Sequence, residues 1–259
     1  MGLAVKIMES QKGQKVQSIA EKRDQSTGMT VLLMGATGLI GRHCLEHLLA
    51  SPRIDRVIAP TRRTINNRNQ KLRNILIDFD NLDEHEELFQ VDAIICCLGT
   101  TIKQAGSRSA FRKVDFQYAL ETAQLGRSKK AKAFYLVTAI GADAKSPFFY
   151  SRVKGELEAK LRQLEYDSLS IYQPSLLIGD REDKRRSEYF FAKVASMANP
   201  LLSGGLSKYS AIKAESVAKA MVNECIFNGK DVTHGPRVNT YDHGDMIKLA
   251  SRPEDVLSS

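Results

Sequence analysis

The sequence predicts an α/β fold with one doubly wound parallel sheet and a small, mostly helical C-terminal substrate region. Short apolar runs alternate with segments of helical periodicity, which is the pattern of strand–helix–strand units. A glycine-rich turn joins the first apolar run directly to the first helical segment. With 259 residues, 42% of them hydrophobic, the chain is long enough for one substantial core and too short for two full-sized domains.

The predicted elements follow one another in a regular order. Apolar runs rich in β-branched residues predict six strands, at 30–34, 55–60, 73–78, 92–98, 132–139 and 168–174. Helical patterns lie between them, near 39–50, 81–89, 108–128 and 148–165. Six strands in this rhythm predict the Rossmann strand order 3-2-1-4-5-6, in which ligands bind in the crevice at the carboxyl ends of the strands.

The C-terminal third departs from this alternation. Its pattern predicts a Pro- and Gly-rich stretch at 200–205 and helices at 187–198, 214–227 and 242–250. We expect residues 29–250 to form the single domain, in which residues 180–250 cover the substrate side. Residues 251–259 are expected to form a tail.

The first 28 residues differ in composition from the rest of the chain. Residues 1–28 are rich in Gln, Lys, Ser and Glu, which predicts a flexible N-terminal extension. They lack the continuous apolar core of a secretory signal, and their acidic residues argue against an organelle transit peptide. The four cysteines show no C-x-x-C spacing, which favours reduced thiols in a cytoplasmic protein.

Charge and hydropathy exclude several kinds of partner. The formal net charge is +8, but the 38 basic residues are scattered among 30 acidic ones, so we expect no nucleic-acid binding. The longest apolar runs are strand-sized and fall far short of the roughly 20 residues needed to cross a bilayer, so no membrane partner is expected. His43 and His47 are four residues apart, but no third ligand accompanies them, and we predict no metal site.

The glycine-rich turn predicts a dinucleotide site. The first glycine of Gly35-x-x-Gly38-x-x-Gly41 permits the tight turn, and the second lets backbone approach a pyrophosphate. The third lets the helix pack on the sheet while its N-terminal amides face the phosphates. Cofactor contacts are therefore expected from Gly35, Thr37, Gly38, Leu39, Ile40 and Gly41.

The ends of the next strands predict which dinucleotide binds. An NAD site carries an acidic residue after the second strand, whereas the 2′-phosphate of NADP needs cationic donors. Arg62 and Arg63 stand there without a carboxylate, so the sequence favours NADPH, although an exposed loop pair is the alternative. Asp78 is a candidate acceptor for the adenine amino group or a helix cap. The turn Leu98-Gly99-Thr100-Thr101 is a candidate contact for the adenosine half or a plain turn.

A tyrosine and a lysine supply the groups that carbonyl reduction needs. Tyr150 and Lys154 have i, i+4 spacing, and a lysine ammonium lowers the pKa of a nearby phenol so that it can act as a proton donor. Two other pairs share this spacing, Tyr189/Lys193 and Tyr209/Lys213. Only Tyr150 follows the fifth strand closely, and Thr138 at the end of that strand would hydrogen-bond the substrate oxygen. Lys154 would also hold the nicotinamide ribose.

Several short motifs together resemble the atypical short-chain dehydrogenases/reductases of the Tat-interacting-protein type and their bacterial relatives. The most specific are Cys96-Cys97-Leu98-Gly99-Thr100-Thr101 and Tyr150-x-x-Val153-Lys154-Gly155-Glu156, and the others are Ile77-Asp78-Phe79, Val114-Asp115, Gly141-Ala142-Asp143 and Gln173-Pro174-Ser175. The likeness covers roughly residues 30–250. It implies NADPH binding in a Rossmann fold, with Pro174 and Ser175 near the nicotinamide, and it implies no particular substrate.

One position departs from the family pattern. Relatives often carry Ser-Ser where this chain has Thr138-Ala139, and the active hydroxyl commonly matches the second residue of that pair. The resemblance therefore leaves the partner of the substrate oxygen open.

Three functions follow from these observations. The first is an NADPH-dependent reductase of a small carbonyl substrate, with Tyr150 as proton donor. The second is a regulatory protein that senses NADPH and contacts a protein partner, with little or no turnover. The third is an isomerase or dehydratase that uses the bound cofactor transiently.

Overall fold

The computed structural model describes residues 28–178, 210–228 and 235–252. All or most of five predicted segments lie outside these residues: the extension at 1–28, the substrate-side cover at 180–250, the helix at 187–198, the stretch at 200–205 and the tail at 251–259. Tyr189, Lys193 and Tyr209 also lie outside the described residues.

Seven parallel strands form the sheet, in the order β3-β2-β1-β4-β5-β6-β9. The predicted order of the first six is confirmed, and a separate parallel pair joins β7 to β8. The strands are β1 Met29–Met34, β2 Ile54–Thr61, β3 Leu72–Leu76, β4 Ala93–Cys96, β5 Ala133–Val137, β6 Ser168–Tyr172, β7 Leu177–Ile178, β8 Ile212–Lys213 and β9 Arg237–Tyr241.

Helices connect the strands and cover both faces of the sheet. The α-helices are α1 Leu39–Ala50, α2 Ile102–Ala105, α3 Arg108–Arg112, α4 Tyr118–Ser128, α5 Phe149–Arg162, α6 Ala214–Asn228 and α7 His243–Ala250. A 3-10 segment spans Phe79–Phe89, and a π turn at Lys113–Gln117 joins α3 to α4. Among the helices of the described ranges, none combines the length and apolarity that a bilayer crossing requires.

The two faces of the sheet carry separate hydrophobic clusters because side chains alternate along each strand. Val31 and Leu33 of β1 belong to the cluster under α1, α6 and α7, whereas Leu32 and Met34 belong to the cluster under α4, α5 and the 3-10 segment. All four side chains are fully buried. Burial on both faces explains why β1 is a continuous apolar run.

The seventh strand, β9, was not predicted from the sequence because it lies at the edge of the sheet. Its residues are mostly polar, and Val238 is 43% exposed, so it lacks the apolar run that marks a central strand. Tyr241 of β9 and Ser170 of β6 both donate hydrogen bonds of 2.8 Å to the buried carboxylate of Glu224 on α6. These bonds join β6 and β9, which are paired along their backbones, to the helix that covers them.

The segment predicted as a helix at 81–89 is a kinked 3-10 helix. Phe79, Leu82 and Leu88 are buried and lie at multiples of three residues, which matches three residues per turn. The backbone leaves the helical region at Asn81 and His85. The observed form therefore follows the spacing of the apolar side chains.

The first helix approaches the sheet unusually closely. Gly35 has a φ of 80°, in the left-handed region that favours glycine. A Cβ at Gly35 would lie 2.7 Å from the carbonyl oxygen of Cys97, and one at Gly41 would lie 2.0 Å from the carbonyl oxygen of Gly35. Both contacts are with backbone, which cannot move aside. The turn thus fixes the start of α1 against the ends of β1 and β4.

Replacing Gly41 by Ala is expected to destabilise the protein by about 1–3 kcal/mol, because the new methyl group overpacks against backbone. Chemical unfolding measures this change. Gly244→Ala is the matched control, since a Cβ there would lie 3.5 Å from its nearest neighbour, Asp242 Oδ1. The control is expected to be neutral or slightly stabilising. Equal stability of the two variants would contradict the close approach.

Candidate active site

A cleft of about 220 Å³ opens at the carboxyl ends of β1, β4 and β5. It lies where the strand order reverses direction, which is the usual ligand position in such sheets. Its lining residues are Gly38, Leu39, Ile40, Cys97, Leu98, Gly99, Thr100, Thr101, Gln104, Asp115, Val137, Thr138, Tyr150, Lys154 and Leu177. The glycine turn, the turn after β4 and the tyrosine–lysine pair therefore meet at one place.

The start of α1 presents free backbone donors to this cleft. Gly38 is the N-cap residue and has no side chain to satisfy the amides of the first turn. The first turn, which begins at Leu39, contains no acidic residue. Unsatisfied amides and the positive end of the helix dipole suit an anionic group.

Arg62 and Arg63 follow β2 directly and are exposed. The hydroxyl of Thr61, the last residue of β2, donates to the backbone carbonyl of Arg63 at 2.8 Å and fixes the turn. Neither guanidinium has an ion-pair partner within residues 28–178, 210–228 and 235–252. Their predicted role with a 2′-phosphate stays a prediction.

Asp78 serves as the N-cap of the 3-10 segment. Its Oδ1 accepts a hydrogen bond of 3.0 Å from the backbone amide of Asp80. Of the two roles predicted for Asp78, this contact is that of a helix cap. The carboxyl group is exposed, and adenine binding by this residue stays a prediction.

Pro174 and Ser175 lie between β6 and β7 and are both buried. The carbonyl of Pro174 accepts from the amide of Ile140 at 3.0 Å, and the hydroxyl of Ser175 donates to the carbonyl of Ser210. Both residues thus join neighbouring loops at the end of the sheet. Their predicted contact with the nicotinamide stays a prediction.

Tyr150 and Lys154 occupy successive turns of α5 and both line the cleft. The Lys154 ammonium forms a buried ion pair with Asp115, with 2.8 Å between Nζ and Oδ1. The ring of Tyr150 packs on Phe111 with ring centroids 5.6 Å apart. The predicted pair is therefore brought to the cleft, together with an acidic partner.

Asp115 is a site residue that sequence reasoning missed. It lies in the π turn between α3 and α4, is 1% exposed, and accepts a second bond of 2.9 Å from the amide of Thr100. A single extra residue in a helix often marks a functional position. In the sequence, Asp115 belongs to the motif Val114-Asp115, which carries part of the family resemblance but predicted no role for Asp115.

The three ionisable groups influence one another because Lys154 and Asp115 are buried and Tyr150 lines the same cleft. Burial raises the pKa of the Tyr150 phenol, the Lys154 ammonium opposes this, and Asp115 adds to it. Burial alone would lower the pKa of Lys154, but Asp115 and Tyr150 together hold it above the usual value. Tyr150 is therefore a phenol, able to donate a proton, at neutral pH.

Thr138 lines the cleft, but its hydroxyl is hydrogen-bonded within the protein. Its Oγ1 donates to the buried carboxylate of Glu158 at 2.6 Å, and the side-chain amide of Gln173 donates to both oxygens of that carboxylate at 3.0 Å. Glu158 continues the stripe of Tyr150 and Lys154 along α5. Burial raises the pKa of Glu158, although Thr138 and Gln173 oppose this. Thr138 can donate a hydrogen bond to a substrate only if its hydroxyl turns away from Glu158.

The cysteines are structural in this arrangement. Cys97 lines the cleft, and its Sγ lies 3.8 Å from Sγ of Cys44, so the two thiols touch without a disulfide. Burial raises the pKa of Cys96 to about 12. Thiolates, the reactive form, are thus disfavoured at neutral pH. Within the described ranges no three His, Cys, Asp or Glu side chains are grouped to hold a metal.

Comparison with known proteins agrees with this geometry. The model of the NAD dependent epimerase/dehydratase family matches residues 31–223. The chain belongs to this family. Protein HTATIP2 of Rattus norvegicus is 34% identical over 205 residues, which cover 77% of this chain and 82% of that protein. The resemblance to the Tat-interacting-protein type is thereby confirmed.

Two further proteins are similar to this chain. The protein "fmp52, mitochondrial" of Emericella nidulans is 33% identical over 203 residues, covering 74% of this chain and 85% of its own. The structure of UDP-glucose 4-epimerase with UDP-glucose from Thermotoga maritima superposes with a TM-score of 0.60 at 14% identity. That superposition covers 88% of this chain and 82% of the epimerase, and it shows a shared fold.

Replacing Thr138 by Val is expected to cost about 1–3 kcal/mol of stability, because the buried Glu158 carboxylate loses a donor. Thr122→Val is the matched control, since the buried Thr122 hydroxyl donates only to the neutral carbonyl of Tyr118. Chemical unfolding of both variants measures the difference. A smaller loss for Thr138→Val than for Thr122→Val would contradict the assignment of its proton to Glu158.

Proposed function

We propose that this family member is an NADPH-dependent oxidoreductase that reduces a small carbonyl compound. One observation carries the proposal: Tyr150 and the buried Lys154 line the same cleft as the glycine turn. A proton donor and a dinucleotide-binding turn in one cleft are the two parts that such a reduction needs. The family description, which names NAD, supports a nicotinamide cofactor in general.

The residues of the cleft fit a dinucleotide. Gly38 and Gly99 place no side chain in it, and the free amides at the start of α1 suit the pyrophosphate. We infer that Arg62 and Arg63 bind a 2′-phosphate, so that NADPH is preferred to NADH. Two adjacent guanidiniums offer forked, charge-assisted bonds to such a group.

The chemistry assigned to this chain is proton delivery. When bound, NADPH supplies a hydride to the carbonyl carbon. Tyr150 gives its phenolic proton to the carbonyl oxygen, which becomes the hydroxyl of the product alcohol. Lys154 holds the nicotinamide ribose.

A second function is favoured by a different observation. Thr138 directs its proton to Glu158, and the next residue is Ala139, so neither supplies a free hydroxyl donor for the substrate oxygen. This arrangement favours a regulatory protein that binds NADPH and a protein partner with little turnover. A broad panel of aldehydes, ketones and quinones distinguishes the two functions. Tight NADPH binding without any loss of the absorbance of the reduced nicotinamide would favour the regulator.

The cytoplasmic location is likewise a proposal. It rests on the sequence alone, whereas the name of the fungal relative fmp52 contains the word mitochondrial. Fractionation of cells that express the full chain, with a mitochondrial marker followed in parallel, tests it.

Tyr150→Phe is expected to reduce turnover at least about 100-fold, because it removes the proton donor. The Kd for NADPH should stay within about twofold, since the ring is retained. Steady-state kinetics and calorimetry measure the two effects. Tyr118→Phe is the control, because the Tyr118 hydroxyl donates to Asp80 on the surface, away from the cleft. Turnover in Tyr150→Phe equal to that of the control would remove Tyr150 as the acid.

Replacing Arg62 and Arg63 together by Ala should weaken NADPH binding at least about tenfold and leave NADH binding nearly unchanged, because only NADPH carries the 2′-phosphate. Calorimetry with both cofactors measures the selectivity. Arg53→Ala is the control, because Arg53 is exposed at the opposite, amino end of β2. Equal weakening of both cofactors would reject the assignment.

A further inference from the structure

We propose that Asp115 is a positioning residue that cancels the charge of Lys154 and thereby keeps Tyr150 in its protonated form. The site is then biased towards giving a proton, which is the direction of carbonyl reduction. The statement about direction rests on the proposed function, whereas the statement about Tyr150 does not.

The geometry places Asp115 and Lys154 in one enclosed pair, and Tyr150 lines the same cleft. Asp115 Oδ1 lies 2.8 Å from Lys154 Nζ, and the two side chains are 1% and 5% exposed. The other carboxylate oxygen is held by the amide of Thr100. A Cβ at Gly99 would lie 3.6 Å from Asp115 Oδ1 and 4.0 Å from Lys154 Nζ, so the pair borders the turn that lines the cleft.

A lysine favours a phenolate only through its net positive charge. The Lys154–Asp115 pair has zero net charge whichever of the two atoms holds the shared proton. Where the two charges are buried, opposite charges that are this close act on a third group almost as a dipole. The attraction of Lys154 for a Tyr150 phenolate is therefore largely offset by the repulsion of Asp115.

Two other titratable groups act on Lys154, and neither adds a positive charge beside Tyr150. Glu158 lies one turn further along α5, where Thr138 and Gln173 donate hydrogen bonds to its carboxyl group. Cys96, at the end of β4, interacts electrostatically with Lys154, but burial raises its pKa to about 12 and it stays a neutral thiol. Burial also raises the pKa of Asp115, which Lys154 and the Thr100 amide oppose. Lys154 and Asp115 are thus the two charged groups that act on the phenol of Tyr150.

Asp115→Asn tests this inference without any need for turnover. The ultraviolet absorbance of tyrosinate is titrated with pH for the wild-type chain and for Asp115→Asn, each with and without Tyr150→Phe. The two differences isolate one phenol among the eight tyrosines of the chain. We expect the pKa of Tyr150 to fall by about one to three in Asp115→Asn, because Lys154 is no longer compensated.

The chain contains a matched surface control. Asp80, on the 3-10 segment, pairs with Lys113 at 2.6 Å and accepts a hydrogen bond from Tyr118, so it has the same three kinds of group in an exposed setting. Asp80→Asn should leave the titration of Tyr150 unchanged. An unchanged or raised pKa of Tyr150 in folded Asp115→Asn would overturn the inference.

A double variant covers the case in which Asp115→Asn does not fold. Lys154→Met with Asp115→Asn removes both members of the buried ion pair. If the pair is neutral in the wild-type chain, the pKa of Tyr150 in the double variant should stay within about half a unit of the wild-type value. A rise of more than one would show that Lys154 acts uncompensated, and the inference would fail.

Failure of the reductase proposal is recognised separately. If no carbonyl in the panel is reduced but the titration of Tyr150 moves as expected, the reductase is rejected and the role of Asp115 stands. If reduction is observed but the titration does not move, the role of Asp115 is rejected and the reductase stands.

Discussion

The structure depends on one steric constraint, which is the contact between the first turn of α1 and the backbone at the end of β1. Gly35 and Gly41 permit this contact because any side chain at either position would meet a carbonyl oxygen. The contact brings the start of α1 to the carboxyl edge of the sheet, beside the turn that follows β4. The cleft exists because these two backbones lie side by side with no side chains between them.

The second half of the site is built by α5. Tyr150, Lys154 and Glu158 lie at successive i, i+4 positions, so one face of one helix carries a phenol, an ammonium and a carboxylate into the interior. Each charged member meets a partner from elsewhere in the chain, Asp115 for the ammonium and Thr138 with Gln173 for the carboxylate. Buried charges are tolerated because every one of these groups has a hydrogen-bonding partner.

Much of this was predictable from sequence because the relevant patterns are local. The glycine spacing, the alternation of apolar runs with helical segments, and the separation of Tyr150 from Lys154 are each contained within a few residues. Strand order followed from this alternation. Asp115 and Glu158 were missed as site residues because their roles depend on contacts with residues 15 to 39 positions away in sequence, from Thr100–Asp115 to Asp115–Lys154 (154 − 115 = 39). The strand β9 was missed because an edge strand needs no apolar run.

The π turn between α3 and α4 limits how this chain can vary. An α-helix turns by about 100° per residue, so a helix with one residue fewer before Asp115 would aim its carboxylate at a different neighbour. Substitutions around the turn keep the direction in which the Asp115 side chain points, whereas a deletion changes that direction. Variation in this segment should therefore take the form of exchanged side chains at constant length, and the number of residues between Thr100 and Asp115 should be more strictly preserved than their identities.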